Sequence, residues 1–333
     1  MELQKSNRLF KPSRVLFYVL AIIVFYFALQ YFNKLGNIET LMFEMNPGWL
    51  FLAVGTQLLT YLLNALILRV LLSVSGSNIS FFMLLKISIV IIFVNQALPS
   101  GGLSGNGYVF NQLTRRKVNG KQAFSTLVLE SVCYYIAILM LLLIFYVWYF
   151  LENEQVNRVI KYTAIIGVVY YSFLALMMSV LSNWRTLKSI LHRVRKFPKI
   201  HKYMEEVNLY GLTESKQGIL KMFSENKNNA LIAIGLQVLI IASDVLTVFA
   251  ILKGFHFSLA FSDVVLGLLL SLIIGALPIS PGSLIAYESG MTYFFATVGT
   301  PVHIALVVTL IFRFLTFWLP IPIGLLLYRR LQT

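Results

Sequence analysis

Seven stretches of this chain contain no Asp, Glu, Lys or Arg: residues 15–33, 45–68, 87–114, 131–151, 162–184, 264–287 and 289–312. The shortest, 15–33, is 19 residues long. A helix needs about 20 apolar residues to cross the hydrocarbon of a bilayer. An eighth stretch, 228–252, is interrupted only by Asp244. Backbone polar groups in lipid must bond to one another, so these stretches are expected to be helices. A soluble domain is excluded by composition. The chain is 58% hydrophobic and 12% charged, against about a quarter charged in soluble proteins. Residues 15–33 are too long for a signal-peptide core and are followed by further apolar runs, so no cleaved leader is expected. The single cysteine, Cys133, excludes a disulfide framework. With four scattered histidines, no metal site and no cofactor are expected.

Charge sets the orientation. The excess of 27 Lys+Arg over 13 Asp+Glu does not call for nucleic acid, because basic residues collect on the cytoplasmic side of membrane proteins. They gather here in the N-terminal tail, at Arg115, Arg116, Lys117 and Lys121, in the linker 184–227, and at Arg329 and Arg330. All four are expected in the cytoplasm, which puts both termini inside a plasma membrane crossed many times. Leu187, Ile190, Leu191 and Val194 follow helical spacing among basic residues. That pattern suits an amphipathic helix on the anionic inner leaflet; a solvated connector is the alternative.

This orientation creates two conflicts. Residues 81–114 must enter and leave on the inner side, and 262–299 on the outer side. Each has a helix-breaking centre: Leu98-Pro99-Ser100-Gly101-Gly102-Leu103-Ser104-Gly105 in one, Leu277-Pro278-Ile279-Ser280-Pro281-Gly282 in the other. Each reads as a re-entrant hairpin, dipping in from opposite sides. Both centres begin Ala-Leu-Pro, half a chain apart. The expected fold is an all-α polytopic membrane protein built as an inverted repeat, each half about three spanning helices plus one re-entrant hairpin. The first repeat, 1–151, has spans at 15–33, 48–72 and 121–151 and a hairpin at 81–114. The second, 152–333, has spans at 159–183, 228–252 and 300–328, the linker 184–227 and a hairpin at 262–299. Matched Gly/Pro interruptions in inverted halves point to a substrate site between them. The alternative is ordinary proline kinks with a chance tripeptide match.

An ionisable side chain inside the bilayer costs roughly 2.5–3.5 kcal/mol on insertion scales and is a functional candidate by default. Glu130, Asp244, Glu288 and Arg313 are such groups. They serve either as buried ion pairs fixing helix packing, or as a site in which Arg313 meets a phosphate and the carboxylates meet a cation, an amine or protons. Tyr287 joins them beside Glu288. The hairpin apices are Pro99, Ser100, Gly101, Gly102, Ser104, Gly105, Pro278, Ser280, Pro281 and Gly282, whose glycines and serines supply bare backbone N–H groups suited to anions. The Gly-Leu-Ser-Gly at 102–105 resembles an intramembrane serine-protease motif, but no base is in reach, so a protease is the remote alternative.

The sequence Asn95-x-x-Leu98-Pro99-Ser100-Gly101-Gly102-Leu103-Ser104-Gly105, followed by the basic knot, resembles the transmembrane domain of the lysylphosphatidylglycerol synthase/flippase family. So does Leu277-Pro278-x-x-Pro281-Gly282-Ser283, followed by Glu288, Gly299-Thr300-Pro301 and Arg313. The second hairpin has less glycine than is typical of relatives. The resemblance implies a flippase-like protein that moves a phospholipid or lipid-linked headgroup between leaflets, lines its cavity with these charged residues, and is not an enzyme. The synthase half is expected to be absent. The second reading is a non-transporting membrane subunit that presents lipid to a separate lipid-modifying enzyme. Lipid identity, energy source and oligomeric state are not legible.

Overall fold

The computed structural model describes residues 45–73, 79–97, 103–152, 157–181, 227–276, 283 and 285–332. The expected span 15–33, the linker to residue 226, and the apex residues Pro99, Ser100, Gly101, Gly102, Pro278, Ser280, Pro281 and Gly282 lie outside them.

All regular structure among the described residues is helical. The elements are α1 (Pro47–Ser73), α2 (Phe81–Ala97), α3 (Leu103–Arg115), α4 (Gly120–Glu152), α5 (Arg158–Leu181), α6 (Lys227–Gly254), α7 (Phe261–Gly275), α8 (Ala286–Thr297), α9 (Val302–Arg313), a π-helical turn (Phe314–Trp318) and α10 (Pro320–Gln332). Five stretches are long and apolar enough to cross a membrane: α1, α4, α5, α6 and the run from α9 through α10. Large apolar side chains on them, including Phe51, Leu62, Leu151, Val169, Leu176 and Leu231, face outward and exposed. Such an exterior belongs in lipid, so the chain is a multi-pass membrane protein.

Helices α1 and α6 form the antiparallel centre of the bundle. At one end the Asn46 N–H donates to Gly254 O at 3.1 Å. At the other, Asn229 Nδ2 donates to Val70 O at 3.0 Å. Polar contacts stud the seam between: the hydroxyls of Thr56 and Thr247 are 2.8 Å apart, and Thr60 Oγ1 donates to Asp244 Oδ1 at 3.3 Å.

Two antiparallel helical hairpins flank this centre. In the first, α2 and α3 close together where the Gly105 N–H donates to Asn95 Oδ1 at 2.8 Å. Their far ends meet where Arg116 Nη2 approaches Met83 Sδ at 3.3 Å. Ser104, Gly105 and Gly107 are helical, within α3. The glycine-rich centre is therefore shorter than the sequence suggests. Gly105 is small because the helix of Asn95 passes against it: a Cβ there would overlap the Asn95 carboxamide. Gly105 and Ser104 thus build the closure below the apex.

In the second hairpin α7 and α8 pack just as closely. A Cβ on Gly267 would lie 2.7 Å from the Phe295 ring, and one on Gly275 2.6 Å from the Tyr287 ring. Ala276, the residue that follows α7, accepts a hydrogen bond at 3.2 Å from Tyr170, in the middle of α5. The open end of this hairpin lies with the ends of α4 and α6, where Ser262 Oγ donates to Glu152 Oε2 at 2.8 Å and Phe261 meets Phe145 and Phe249. In the first hairpin Phe81 and Leu331 pack against a buried cluster that includes Leu72, Leu84, Leu113 and Leu127.

Candidate functional site between two helical hairpins

The C-terminal span was expected as one helix over 300–328. It is instead broken into α9, a π turn and α10, and the reason is local. In an α-helix the N–H of residue 320 would bond to Thr316 O, but Pro320 has no N–H. The Leu319 N–H reaches back five residues, to Phe314 O at 2.9 Å. The carbonyls of Leu315 and Thr316 are left without helical partners. Neighbouring helices supply them: Tyr61 OH of α1 donates to Leu315 O at 2.9 Å, and Gln96 Nε2 of α2 donates to Thr316 O at 3.0 Å. Broken helices are tolerated at membrane depth only where such donors repair them. Gln96 is the last but one residue of α2, so the closed end of the first hairpin is anchored on this turn.

Arg313 sits immediately before the turn. Its Nε donates to Glu288 Oε1 at 2.7 Å, with the two side chains only 10% and 15% exposed. Its guanidinium carbon lies 4.6 Å from the centre of the Tyr287 ring and 4.5 Å from that of Phe317. Two aromatic faces therefore hold the charged plane like a filling. Tyr287 is itself fixed against Gly275, at the closed end of the second hairpin. Both hairpins thus converge on one segment, one on the π turn and the other on the arginine immediately before it. The backbone leading into α8 is forced: Ser283 and Ile285 both have positive φ, 53° and 72°, a conformation costly for a β-branched residue. Ser283 Oγ ties that bend to Gly275 O at 2.5 Å. Glu288 Oε2 is buried and has no hydrogen-bond partner among the described residues.

The other two expected residues stand apart from this pair. Asp244 takes its hydrogen bond from Thr60. Glu130 accepts from Gln237 Nε2 at 3.0 Å. Tyr134 lies within electrostatic reach of both carboxylates, and Tyr287 within reach of Asp244 as well as Arg313. The structure therefore joins Tyr287, Glu288 and Arg313 in direct contact and leaves Asp244 and Glu130 nearby in separate polar settings.

Sequence reasoning missed Phe317, Tyr61, Gln96, Thr60 and Gln237. Phe317 was within reach of it, being one helical turn after Arg313. The others are uncharged polar residues whose partners lie more than 100 residues away. Their one signal was a polar group inside an apolar run.

The chain is similar to UPF0104 membrane proteins of three organisms. That of Methanocaldococcus jannaschii is 23% identical over 316 residues, 92% of both chains. That of Methanothermobacter thermautotrophicus is 22% identical over 302 residues, 87% of both. That of Pyrococcus horikoshii is 20% identical over 293 residues, 85% of this chain and 87% of the relative. Residues 15–324 match the family described as the lysylphosphatidylglycerol synthase TM region, and with nearly the whole chain covered, the protein belongs to that family.

Proposed function

We propose that this protein is a lipid flippase-like transporter, moving a phospholipid or lipid-linked headgroup between leaflets past two re-entrant hairpins. The observation that carries the reading is the convergence of both hairpin ends on the Arg313–Glu288 pair and the π turn beside it. A broken helix with a charged residue at mid-depth is the arrangement transporters use for substrate sites. Arginine's fork of donors matches a phosphodiester, and a lipid phosphate would compete with Glu288 for it.

The inverted repeat is supported by mirrored packing. Helices α1 and α6 pair antiparallel along their lengths. Contacts of α2 with α3 and α10 are matched by those of α7 with α8 and α4, and α3–α4 by α8–α9. Most described basic residues lie at one end, among them Arg115, Arg116, Lys117, Arg329 and Arg330, while Arg158, Lys161 and Lys253 lie at the other. This favours the plasma-membrane orientation with a cytoplasmic C-terminus. The linker 184–227 would lie on the anionic inner leaflet.

The test is headgroup translocation in liposomes. Rates should fall sharply in Arg313→Ala and Glu288→Gln; wild-type rates in both would remove the site assignment. The family's description as a synthase region favours one second reading, a subunit that presents lipid to a separate enzyme. A stoichiometric enzyme partner, with no translocation by the purified protein, would select it.

A further inference from the structure

The four ionisable groups inside the bundle are unequally paired. Glu288 is matched by Arg313. Asp244 and Glu130 have no cation within ion-pair distance among the described residues; their contacts are a threonine hydroxyl and a glutamine amide. Asp244 is hydrogen-bonded by Thr60 of α1 and has Tyr61 of α1, Tyr134 of α4 and Tyr287 of α8 within electrostatic reach. Glu130 is hydrogen-bonded by Gln237 of α6 and has Cys133, Tyr134 and Tyr135 of its own helix within electrostatic reach. None of these groups is positively charged. A carboxylate so placed is neutralised by a bound cation or by a proton.

The surroundings favour the proton. A metal cation asks for several oxygens at once, and no group of three or more His, Cys, Asp or Glu side chains occurs among the described residues. A proton needs one oxygen and a chain of polar groups. Thr60 Oγ1 lies 3.4 Å from Thr56 O, and Thr56 Oγ1 is 2.8 Å from Thr247 Oγ1, so hydroxyls line the α1–α6 seam beside Asp244. Two further groups point the same way. The side-chain oxygen of Gln57, a residue 4% exposed that bonds through its side chain to Tyr61, and the hydroxyl of Tyr171, 1% exposed, are buried without a hydrogen-bond partner among the described residues. Tyr171 lies within electrostatic reach of Tyr134 and Tyr287, the residues that reach Asp244. Buried unpartnered polar atoms are where water or a ligand is taken up.

We infer that Asp244 and Glu130 are proton-carrying residues that couple headgroup movement at Arg313 to the proton gradient. The coupling half rests on the transporter reading; the proton-binding half does not. Tyr287 lies against Arg313 and within electrostatic reach of Asp244, so a proton on Asp244 removes a negative charge from the far side of that ring and favours a phosphate at the arginine. By reciprocity the bound phosphate favours the proton. Both cross together, and both are released when the proton leaves.

Two measurements on the whole chain in phosphatidylcholine vesicles test this. Infrared difference spectra over a pH titration should show protonated-carboxyl bands, with one component lost in Asp244→Asn and another in Glu130→Gln. Asp244→Glu should restore the first, which a merely structural role would not require. Bands unaltered by both neutral variants overturn proton binding. In the second measurement, fluorescent phosphatidylglycerol is followed by surface quenching across a one-unit pH gradient. Each coupled proton should shift the leaflet ratio about tenfold, abolished by a protonophore and by Asp244→Asn. Movement indifferent to gradient and protonophore overturns the coupling. No movement under any gradient, with carboxyl bands that titrate, would sink the transporter reading and the coupling together while upholding proton binding.

Discussion

Replacing Arg313 by leucine leaves Glu288 charged, buried and alone. Breaking a buried ion pair by removing one partner costs about 3–5 kcal/mol, because the survivor has lost its counter-charge. With the pair only 10% and 15% exposed, little of that cost is relieved by solvent. The arginine also loses two aromatic faces, at 4.6 and 4.5 Å, each contributing about 0.5–2 kcal/mol. Leucine recovers part of the apolar contact with Phe317 but none of the charge. Arg313→Leu should therefore destabilise by about 4–6 kcal/mol. Glu288→Gln alone strands the arginine, with its rings intact, and should cost about 3 kcal/mol. The double variant leaves no uncompensated charge and should be more stable than Arg313→Leu by about 2–3 kcal/mol. Reversible denaturation of the four proteins in bicelles would read this double-mutant cycle. Strictly additive losses would refute the ion pair as the organising contact of the site.

Other consequences follow from the π turn and the hairpin closures. Tyr61→Phe and Gln96→Leu each orphan one carbonyl of the turn and should cost about 1–2 kcal/mol in the same assay; amide exchange near Trp318 should quicken in both, and unchanged exchange would deny them the repair role. Gly105→Ala drives a methyl into the Asn95 carboxamide and should cost about 1–3 kcal/mol, mostly recovered by adding Asn95→Ala. Gly275→Ala pushes Tyr287 off Arg313 and should lower headgroup translocation more than stability; a loss confined to stability would separate Tyr287 from function.

The membrane character of the fold was plain in the charge-free runs, because an apolar length of about 20 residues has few other uses. Asp244, Glu288 and Arg313 were legible for the converse reason, that charge in such a run is expensive. That Glu288 and Arg313 pair was not legible, since they lie on separate helices brought together only by the turn at Gly299. Glu130 was legible as an ionisable group, but its hydrogen bond comes from Gln237, a tertiary choice without local signature. Gly105 was visible but its purpose was misjudged: it permits close helix contact where a break was expected. Pro320 and Pro322 marked the flaw in the last span, but the π turn depends on Tyr61 and Gln96, donors from the other half of the chain.

The proposed function depends on the two hairpins opening toward opposite faces of the membrane. Single cysteines at Lys117, exposed at the base of the first, and at Val302, exposed beyond the second, can be introduced after replacing the buried Cys133 by alanine. A membrane-impermeant maleimide applied to sealed, oriented vesicles should label one position from outside and the other only from the lumen. Labelling of both from the same side would contradict the inverted arrangement and the meeting of the hairpins at Arg313.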